Sequence, residues 1–195
     1  TQKANMTTGK SMSGAIGSPS SYLSCGGEIT GGSRTGEVQA YDLSGDSWSS
    51  GVTMPTGAGT DGVMGSASDG SSTSNGMCVG GWSTNYTICA SANAFNGTNW
   101  TTVSVPDVSW ALASGIGGGT QSGFWAMGGQ LVGGYGTGIG AVAYYDGSSW
   151  STKPNCELSE SGAGGANNAS NPMIAGGNQV GVSGNGNWDT GQYWG

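Results

Sequence analysis

Short apolar runs that end in paired glycines recur along the chain and indicate an internal repeat. The doublets are Gly26-Gly27, Gly80-Gly81, Gly128-Gly129 and Gly176-Gly177, and their first glycines are 54, 48 and 48 residues apart. Sequence periods of this length are typical of solenoids, propellers and related arrays. We therefore expect four copies of one unit of about fifty residues.

Two further landmarks accompany the doublets. Upstream glycine clusters end at Gly17, Gly65, Gly117 and Gly165, spaced by 48, 52 and 48 residues. Downstream, three units carry an aromatic residue, a polar turn and a tryptophan, at residues 41–48, 95–100 and 145–150. Asn-Gly and Asp-Gly between strand-like runs are strong hairpin signals, so each unit should contain at least three strands. No segment has helical periodicity, and the expected class is all-β.

The two ends of the chain resemble parts of one unit. Three units continue past tryptophan into a fourth strand, at residues 49–56, 101–106 and 151–156, whereas the fourth unit stops at residues 192–195. Residues 1–9 match residues 49–57 in the spacing of methionine, threonine and glycine. They are predicted to supply the outer strand of the last unit, which would close a ring and protect its edge. The predicted parts of this single domain, residues 1–195, are a closing strand at 1–9 and units at 10–57, 58–107, 108–157 and 158–195.

The first unit resembles a kelch blade. It combines an apolar run ending in Gly26-Gly27 with Tyr41-Asp42, Trp48 and Met54-Pro55, although the arginine that commonly follows Met-Pro is missing. The shorter stretch at residues 145–151 is similar to repetitive kelch-like proteins of tailed phages, especially aquatic ones. The resemblance implies a small β-propeller with four blades of about 48 residues, and a component of a virion or its appendages. Most kelch rings have more blades, so two chains building one larger ring is the alternative.

Composition and charge exclude several partners. Charged residues are 8% of the chain, the net charge is −7, and the four basic residues, Lys3, Lys10, Arg34 and Lys153, form no cluster. Nucleic acids and anionic membranes attract clustered Lys and Arg, so neither is an expected partner. No apolar run reaches the roughly 20 residues that span a bilayer, so we expect no membrane insertion. Glycine accounts for 42 of 195 residues, and we interpret it as turn and bulge chemistry between short strands.

The chain lacks the usual equipment of a catalyst. Histidine is absent, which removes the commonest general base and metal ligand, and no Cys-x-x-Cys motif suggests zinc. Asp42 and Asp146 could form a carboxylate pair for glycoside hydrolysis, but their position at the start of a hairpin favours a turn role. The remaining acidic residues are scattered over the units. We predict no enzyme activity, no cofactor and no metal.

Aromatic residues fall into two groups. Trp48, Trp100 and Trp150 share one repeat position and are expected to pack between units. A second group lies in the connections after the doublets, where loops on a rigid frame usually carry binding. Such aromatic rings among Asn, Thr and Gly suit sugars or protein partners, and loop filler or subunit contact is the alternative. The candidate binding residues are Arg34, Trp82, Tyr86, Tyr135 and Trp188.

The four cysteines allow one candidate disulfide. Cys78 and Cys89 flank a predicted hairpin and could sit opposite each other, and two reduced buried thiols are the equal alternative. Cys25 lies near the repeat position of Cys78, and Cys156 aligns with Met6 and Met54. Both are therefore expected to be small core residues.

Two roles compete for such a chain. In the first, it is an extracellular or virion protein, present in many copies of a phage virion or tail appendage, which mediates assembly or attachment to a host-surface glycan. In the second, it is a secreted glycan-binding module. The similarity of the repeats to those of kelch-like phage proteins favours the first role. The expected partners are then other virion or surface proteins.

Overall fold

The described part of the chain consists of β-strands, turns and extended connections. The computed structural model describes residues 2–11, 13–55, 66–67, 72–81, 91–104, 110–111, 116–131, 140–156, 164–167, 172–175, 178–179, 186–187 and 191–193. Every regular element within these ranges is a β-strand, which confirms the predicted all-β class.

In chain order the strands are β1 (Lys10–Ser11), β2 (Gly14–Gly17), β3 (Ser21–Cys25), β4 (Glu28–Ile29), β5 (Val38–Asp42), β6 (Ser47–Ser50), β7 (Ser66–Ala67), β8 (Gly76–Val79), β9 (Ala92–Phe95), β10 (Trp100–Val103), β11 (Trp110–Ala111), β12 (Ile116–Thr120), β13 (Gly123–Met127), β14 (Gln130–Leu131), β15 (Val142–Tyr145), β16 (Trp150–Lys153), β17 (Gly164–Asn167), β18 (Pro172–Ala175), β19 (Asn178–Gln179), β20 (Gly186–Asn187) and β21 (Gly191–Tyr193).

The strands assemble into four small antiparallel sheets in sequence order. Sheet 1 has the order β2-β3-β5-β6, sheet 2 is β7-β8-β9-β10, and sheet 3 is β12-β13-β15-β16. Sheet 4 has three described strands, in the order β17-β18-β21. Short two-stranded ladders, β1-β4, β11-β14 and β19-β20, lie beside sheets 1, 3 and 4 along the chain. Each sheet is therefore a meander in which consecutive long strands pair.

The sequence landmarks mark equivalent positions in the first three sheets. The residue before each glycine doublet pairs with the first residue of the next long strand, as Cys25 does with Val38 and Met127 with Val142. The aromatic residue before each turn pairs with the tryptophan after it. These pairs are Tyr41–Trp48, Phe95–Trp100 and Tyr145–Trp150.

The upstream glycine cluster does not keep one register position. Gly117 and Gly165 pair with residues two places before the doublets of sheets 3 and 4. Gly17 pairs with Tyr22, which lies four places before Gly26. The last glycine of the cluster therefore stands at a different register in the first unit than in the third and fourth. A shift of two residues keeps the same face of the strand, so the core tolerates it.

The hydrophobic core lies between neighbouring sheets. One cluster joins Ile16 and other residues of sheet 1 to Cys78 and Phe95 of sheet 2. A second joins Met77 and its neighbours in sheet 2 to Phe124 of sheet 3. The first strands contact one another in chain order, β2 with β7, β7 with β12, and β12 with β17. The sheets therefore stack face to face, because each is too thin to enclose a core of its own.

The glycine that opens β8 shows how closely the first two sheets approach. A Cβ atom added at Gly76 would lie 2.8 Å from Cδ1 of Ile16, which is closer than real Cβ contacts allow. The side chain of Ile16 is fully buried against this glycine. The side chain of Ile16 thus fills the space that a side chain at Gly76 would occupy, and sheets 1 and 2 can pack closely there.

Residues 2–9 lie along sheet 1. No described strand of sheet 4 pairs with them, and their hydrogen bonds go to sheet 1 instead. Their alternating exposure, with even-numbered residues 4 to 8 half-buried, is that of an extended chain lying on a surface. Pairing of this segment with the last unit, and closure of a ring, are not seen among the described residues and stay predictions.

Two glycines with similar φ angles provide a test of the doublet geometry, because one lies in the first doublet and the other in the loop that follows it. Gly27 has φ +109°, and a Cβ atom there would lie 2.7 Å from the carbonyl oxygen of Ser11. Gly31 has φ +95°, with nothing within 4 Å of the same atom. Both Gly→Ala variants should lose about 1–3 kcal/mol through positive-φ strain. Gly27→Ala should lose more in urea unfolding, and equal losses would show that the chain relaxes around Gly27 freely.

Candidate functional site

The glycine doublets form the same backbone corner in three units. The first glycines, Gly26, Gly80 and Gly128, have φ values of 61°, 70° and 66°, and the second glycines have 109°, 129° and 111°. The amide N–H of each first glycine donates to the carbonyl of the residue before the next long strand, at 2.7 to 2.9 Å. Side chains disfavour both conformations, so only glycine fits. The connection therefore leaves sheets 1, 2 and 3 at one equivalent point.

Two connections of a unit meet beyond this corner. Lys10 and Ser11, which precede the first strand of sheet 1, pair with Ile29 and Glu28 after the doublet. Residues 110–111 and 130–131 repeat this pairing beside sheet 3. The residues entering a unit and those following its doublet thus share one end of the sheet. This end is the frame of the candidate binding surface, because loops on a rigid frame can vary without unfolding it.

Arg34 is part of this loop frame. Its guanidinium donates to Oε2 of Glu28 through Nη2 at 3.2 Å and Nε at 3.4 Å. Its side chain is only 6% exposed, against 25% for that of Glu28. Thr35 N–H also donates to the carbonyl of Gly27, which closes the loop on itself. The half-buried ion pair gives Arg34 a structural task, and its role in binding stays a prediction.

The other candidate residues fall outside the described part of the chain. Trp82, Tyr86, Tyr135, Trp188 and Cys89 all lie there. The prediction that these residues share one binding surface is therefore neither confirmed nor contradicted.

The described cysteines lie in the core. Cys78 is buried at the contact of sheets 1 and 2, where Cys25 also packs, and a disulfide between Cys78 and Cys89 stays a prediction. Cys156 and Met54 are both buried. Cys156 donates its N–H to the carbonyl of Gly140, as Met54 does to Gly36. The predicted equivalence of Cys156 and Met54 is confirmed.

The three tryptophans of the repeat reach across to another segment of chain. The indole N–H of Trp100 donates to the carbonyl of Val52 at 2.7 Å, and that of Trp150 donates to the carbonyl of Ser104 at 2.7 Å. Trp100 packs against the core of sheets 1 and 2, and Trp150 packs against that of sheets 2 and 3. Their predicted position between units is confirmed. Trp48 makes the same bond, at 3.0 Å, to the carbonyl of Ala4.

Asp42 and Asp146 are turn residues, as their position in the hairpins indicates. Oδ1 of Asp146 accepts the N–H groups of Ser148 and Ser149, both at 2.8 Å, and these bonds lower its pKa to about 2. The Ser44 hydroxyl and N–H bind Asp42 and lower its pKa too. A glycosidase acid needs a raised pKa, so these two carboxylates do not fit that task.

Three polar contacts were missed because they depend on the folded chain. The buried amide of Gln39 binds Thr7 and Thr8, and Asp46 binds Ala4. The ammonium of Lys153 lies 5.8 Å from the ring centroid of Trp125 and 5.5 Å from that of Tyr144. One signal was present in the sequence, since the turn that contains Asp46 is two residues longer than its counterparts.

The described residues contain no group of three or more His, Cys, Asp and Glu side chains placed to hold a metal ion. Within the same ranges, no helix is long and apolar enough to cross a membrane. A comparison with models of known protein families finds no match, and a comparison with curated proteins finds no similar chain.

Asparagine should replace Asp146 without loss of the turn at neutral pH. Asn96 holds the same place in sheet 2, and its Oδ1 accepts the N–H groups of Thr98 and Asn99. The native pKa of Asp146, about 2, lies below the ordinary value. Its contribution to stability is thus complete above the ordinary value of about 3.9 and is lost as the pH falls through about 2. Melting curves by circular dichroism should show a smaller loss of Tm below about pH 4 for Asp146→Asn. Identical pH profiles would contradict this role.

Proposed function

We propose that the four sheets are the blades of a small kelch-like β-propeller whose role is structural or binding rather than catalytic. The observation that supports this proposal most directly is the repeated hydrogen bond from a tryptophan indole N–H to a backbone carbonyl. Val52 and Ser104, two of the acceptors, each lie four residues beyond the tryptophan of the preceding unit. Ala4 takes the same place toward Trp48. If residues 1–9 travel with the fourth unit, as their likeness to residues 49–57 suggests, the fourth unit precedes the first and the ring is closed.

The stacking of the sheets supports this arrangement. The first strands of sheets 1 to 4 contact one another in order, as inner strands around a propeller axis would. The core lies between sheets rather than within them, which is how blades bury their faces. A ring would also cover the outer faces of the first and last sheets, which an open stack leaves to solvent.

The state of the carboxylates supports a non-enzymatic role. Within the described ranges the acidic residues are Glu28, Glu37, Asp42, Asp46 and Asp146. Each of them accepts a hydrogen bond from a neighbouring group of the same chain. Carboxylates used in this way hold turns and loops in place, and they are not poised for proton transfer to a substrate.

The rigid frame and its variable connections suit attachment. The glycine corner is the same in three units, whereas the connections that follow it differ in sequence. We place the role in a phage virion or tail appendage, in many copies, where the protein mediates assembly or contact with the host surface. The resemblance to repetitive kelch-like phage proteins favours this role. A secreted glycan-binding module is the second candidate, favoured by Trp82 and Tyr86 among Ser, Thr and Asn.

The role is tested by where the protein is found and what it binds. Stoichiometric recovery of the chain with purified particles, measured by mass spectrometry, is the expected result. A soluble monomer that binds a glycan array, and is absent from particles, would overturn the virion role in favour of the lectin.

Replacing the loop aromatics should separate binding from stability. The double change Trp82→Ala and Tyr86→Ala is expected to weaken particle assembly or surface attachment and to shift Tm by less than about 4 °C. Trp100→Ala is the matched control. It should lose up to about 3–5 kcal/mol in urea unfolding, because a packed indole and its hydrogen bond are removed. Unfolding by the loop pair, or a silent Trp100→Ala, would reverse the assignment of surface and scaffold.

Circular permutation tests ring closure directly. A chain in which a short Gly-Ser linker joins residue 195 to residue 1, and which is opened between residues 57 and 58, should fold as a monomer. Its Tm should lie within about 4 °C of the parent, because a ring has no fixed first unit. A permutant opened between Met77 and Cys78, inside β8, is the control that should fail to fold. Failure of both permutants would exclude a closed ring.

A further inference from the structure

The turn of the first unit differs from its counterparts. Asp42 pairs with Ser47, so four residues connect the two strands of this hairpin. In sheets 2 and 3, Asn96 N–H donates to the Asn99 carbonyl and Asp146 N–H to the Ser149 carbonyl, which leaves two connecting residues. The extra length contains Asp46, whose φ of 47° is positive, unlike that of any other described non-glycine residue. A conformation that side chains disfavour needs a compensating contact.

That contact is with the N-terminal segment, residues 2–10. Oδ1 of Asp46 accepts the N–H of Ala4 at 3.0 Å and the hydroxyl of Tyr41 at 2.7 Å. The indole N–H of Trp48 donates to the carbonyl of Ala4 at 3.0 Å. Both backbone groups of Ala4 are thus held by the β5–β6 hairpin. Hydrogen bonds to a charged acceptor are stronger than neutral ones, so the carboxylate fixes the segment as well as the turn.

The two equivalent segments that the structure describes, at Val52 and Ser104, show no such carboxylate contact. Val52 and Ser104 accept the indoles of Trp100 and Trp150, and no described side-chain carboxylate contacts either residue. Those two residues continue from β6 and β10, so chain connectivity already sets their position. Ala4 follows no described strand, and side-chain contacts to sheet 1 offset the entropy cost of ordering its segment.

Two more contacts of this kind lie further along the segment. Oε1 of Gln39 accepts the N–H groups of Thr7 and Thr8, and its Nε2 donates to the carbonyl of Thr8. The ammonium of Lys10 donates to the carbonyls of Ser24 and Glu37. In contrast, the counterpart of Gln39 in sheet 2, Asn93, binds Thr102 of its own sheet. The first sheet is therefore built to retain a segment of chain.

We propose that Asp46 is an acid-sensitive latch, which holds the Ala4 end of the N-terminal segment on sheet 1 while ionised and releases that end when protonated, whereas the contacts of Gln39 and Lys10 keep residues 7–10 in place. Protonation removes the negative charge that the N–H of Ala4 faces, and the Trp48 bond alone then holds that end of the segment. The inference goes beyond the proposed role, because it concerns only residues 2–10 and sheet 1 and holds whether or not the ring is closed.

The charged and titratable groups around Asp46 agree with release in acid. Lys3 on the segment and Tyr41 on β5 act on Asp46, and Asp42 at the end of β5 acts on Tyr41. Chiefly the N–H of Ala4, then the hydroxyl of Tyr41, lower the pKa of Asp46. Its hydrogen bond raises the pKa of Tyr41 to about 12, so that hydroxyl stays a donor throughout. A lowered native pKa means that the latch is complete above the ordinary value of about 3.9 and opens as the pH falls through the native value.

The three equivalent tryptophans make the test internally controlled. Hydrogen-exchange protection of the indole N–H groups of Trp48, Trp100 and Trp150, and of the Ala4 amide, is measured by NMR on the intact chain between about pH 6 and about pH 2.5. Protection factors, which correct for the intrinsic pH dependence of exchange, should fall about fivefold to tenfold for Ala4 and Trp48. Those of Trp100 and Trp150 should hold, because no carboxylate in the described ranges hydrogen-bonds to Val52 or Ser104.

Variants assign the effect to Asp46. Asp46→Asn keeps an acceptor oxygen without the charge, so protection of Ala4 should be lower at neutral pH and no longer change in acid. Asp146→Asn, which alters the matching turn of sheet 3, should leave the acid response of Ala4 intact. Asp42→Asn tests whether the neighbouring carboxylate contributes, and it should also leave the acid response of Ala4 in place. Loss of protection at all three indoles together, or an unchanged response in Asp46→Asn, would overturn the latch.

Discussion

The fold depends on burial between sheets rather than within them. A sheet of three or four short strands has two faces and no interior, so each sheet needs a neighbour on either side. In this chain Ile16, Met77 and Phe124 fill the successive contacts. The hydrogen bonds from Trp100 to Val52 and from Trp150 to Ser104 make that apolar contact specific. In each bond an indole N–H donates to a backbone carbonyl that lies just after the last strand of the preceding sheet. Burial supplies the attraction, and the hydrogen bond fixes which segment lies against which sheet.

The abundance of glycine follows from the same constraint. Each unit must end its second long strand in a sharp corner, and both residues of that corner have positive φ in three units. Glycine is also required where sheets approach closely, as Gly76 does under Ile16. Glycines of this kind raise the entropy cost of folding. The large aromatic residues at the interfaces offset that cost, since each buries more apolar area than an aliphatic side chain does.

The sequence predicted those parts of the fold that short stretches of chain determine. Backbone angles and spacing within one unit determine the glycine corners. They also determine the turns at Asp42 and Asp146 and the positions of Trp100 and Trp150. The register of Gly17 could not be predicted, because a two-residue slip leaves the same face of a strand buried. The ion pair of Arg34, the amide of Gln39 and the Asp46 contact escaped prediction for a different reason. Their partners are set by how a loop or the N-terminal segment folds back, which periodicity does not encode.

The polar face of sheet 1 is consistent with this view of the stack. At the position of Gln39, sheet 2 has Asn93 and sheet 3 has Ala143, and the neighbouring Phe124 of sheet 3 is fully buried against sheet 2. A face covered by another sheet can be apolar, because the opposing strands already satisfy their own backbone groups. A face covered by a single extended segment must instead bind that segment's N–H and C=O groups, or leave them unsatisfied near the core. Gln39, Asp46 and Lys10 do this for residues 2–10. The polar contacts that sheet 1 makes to residues 2–10 therefore follow from the segment that covers it.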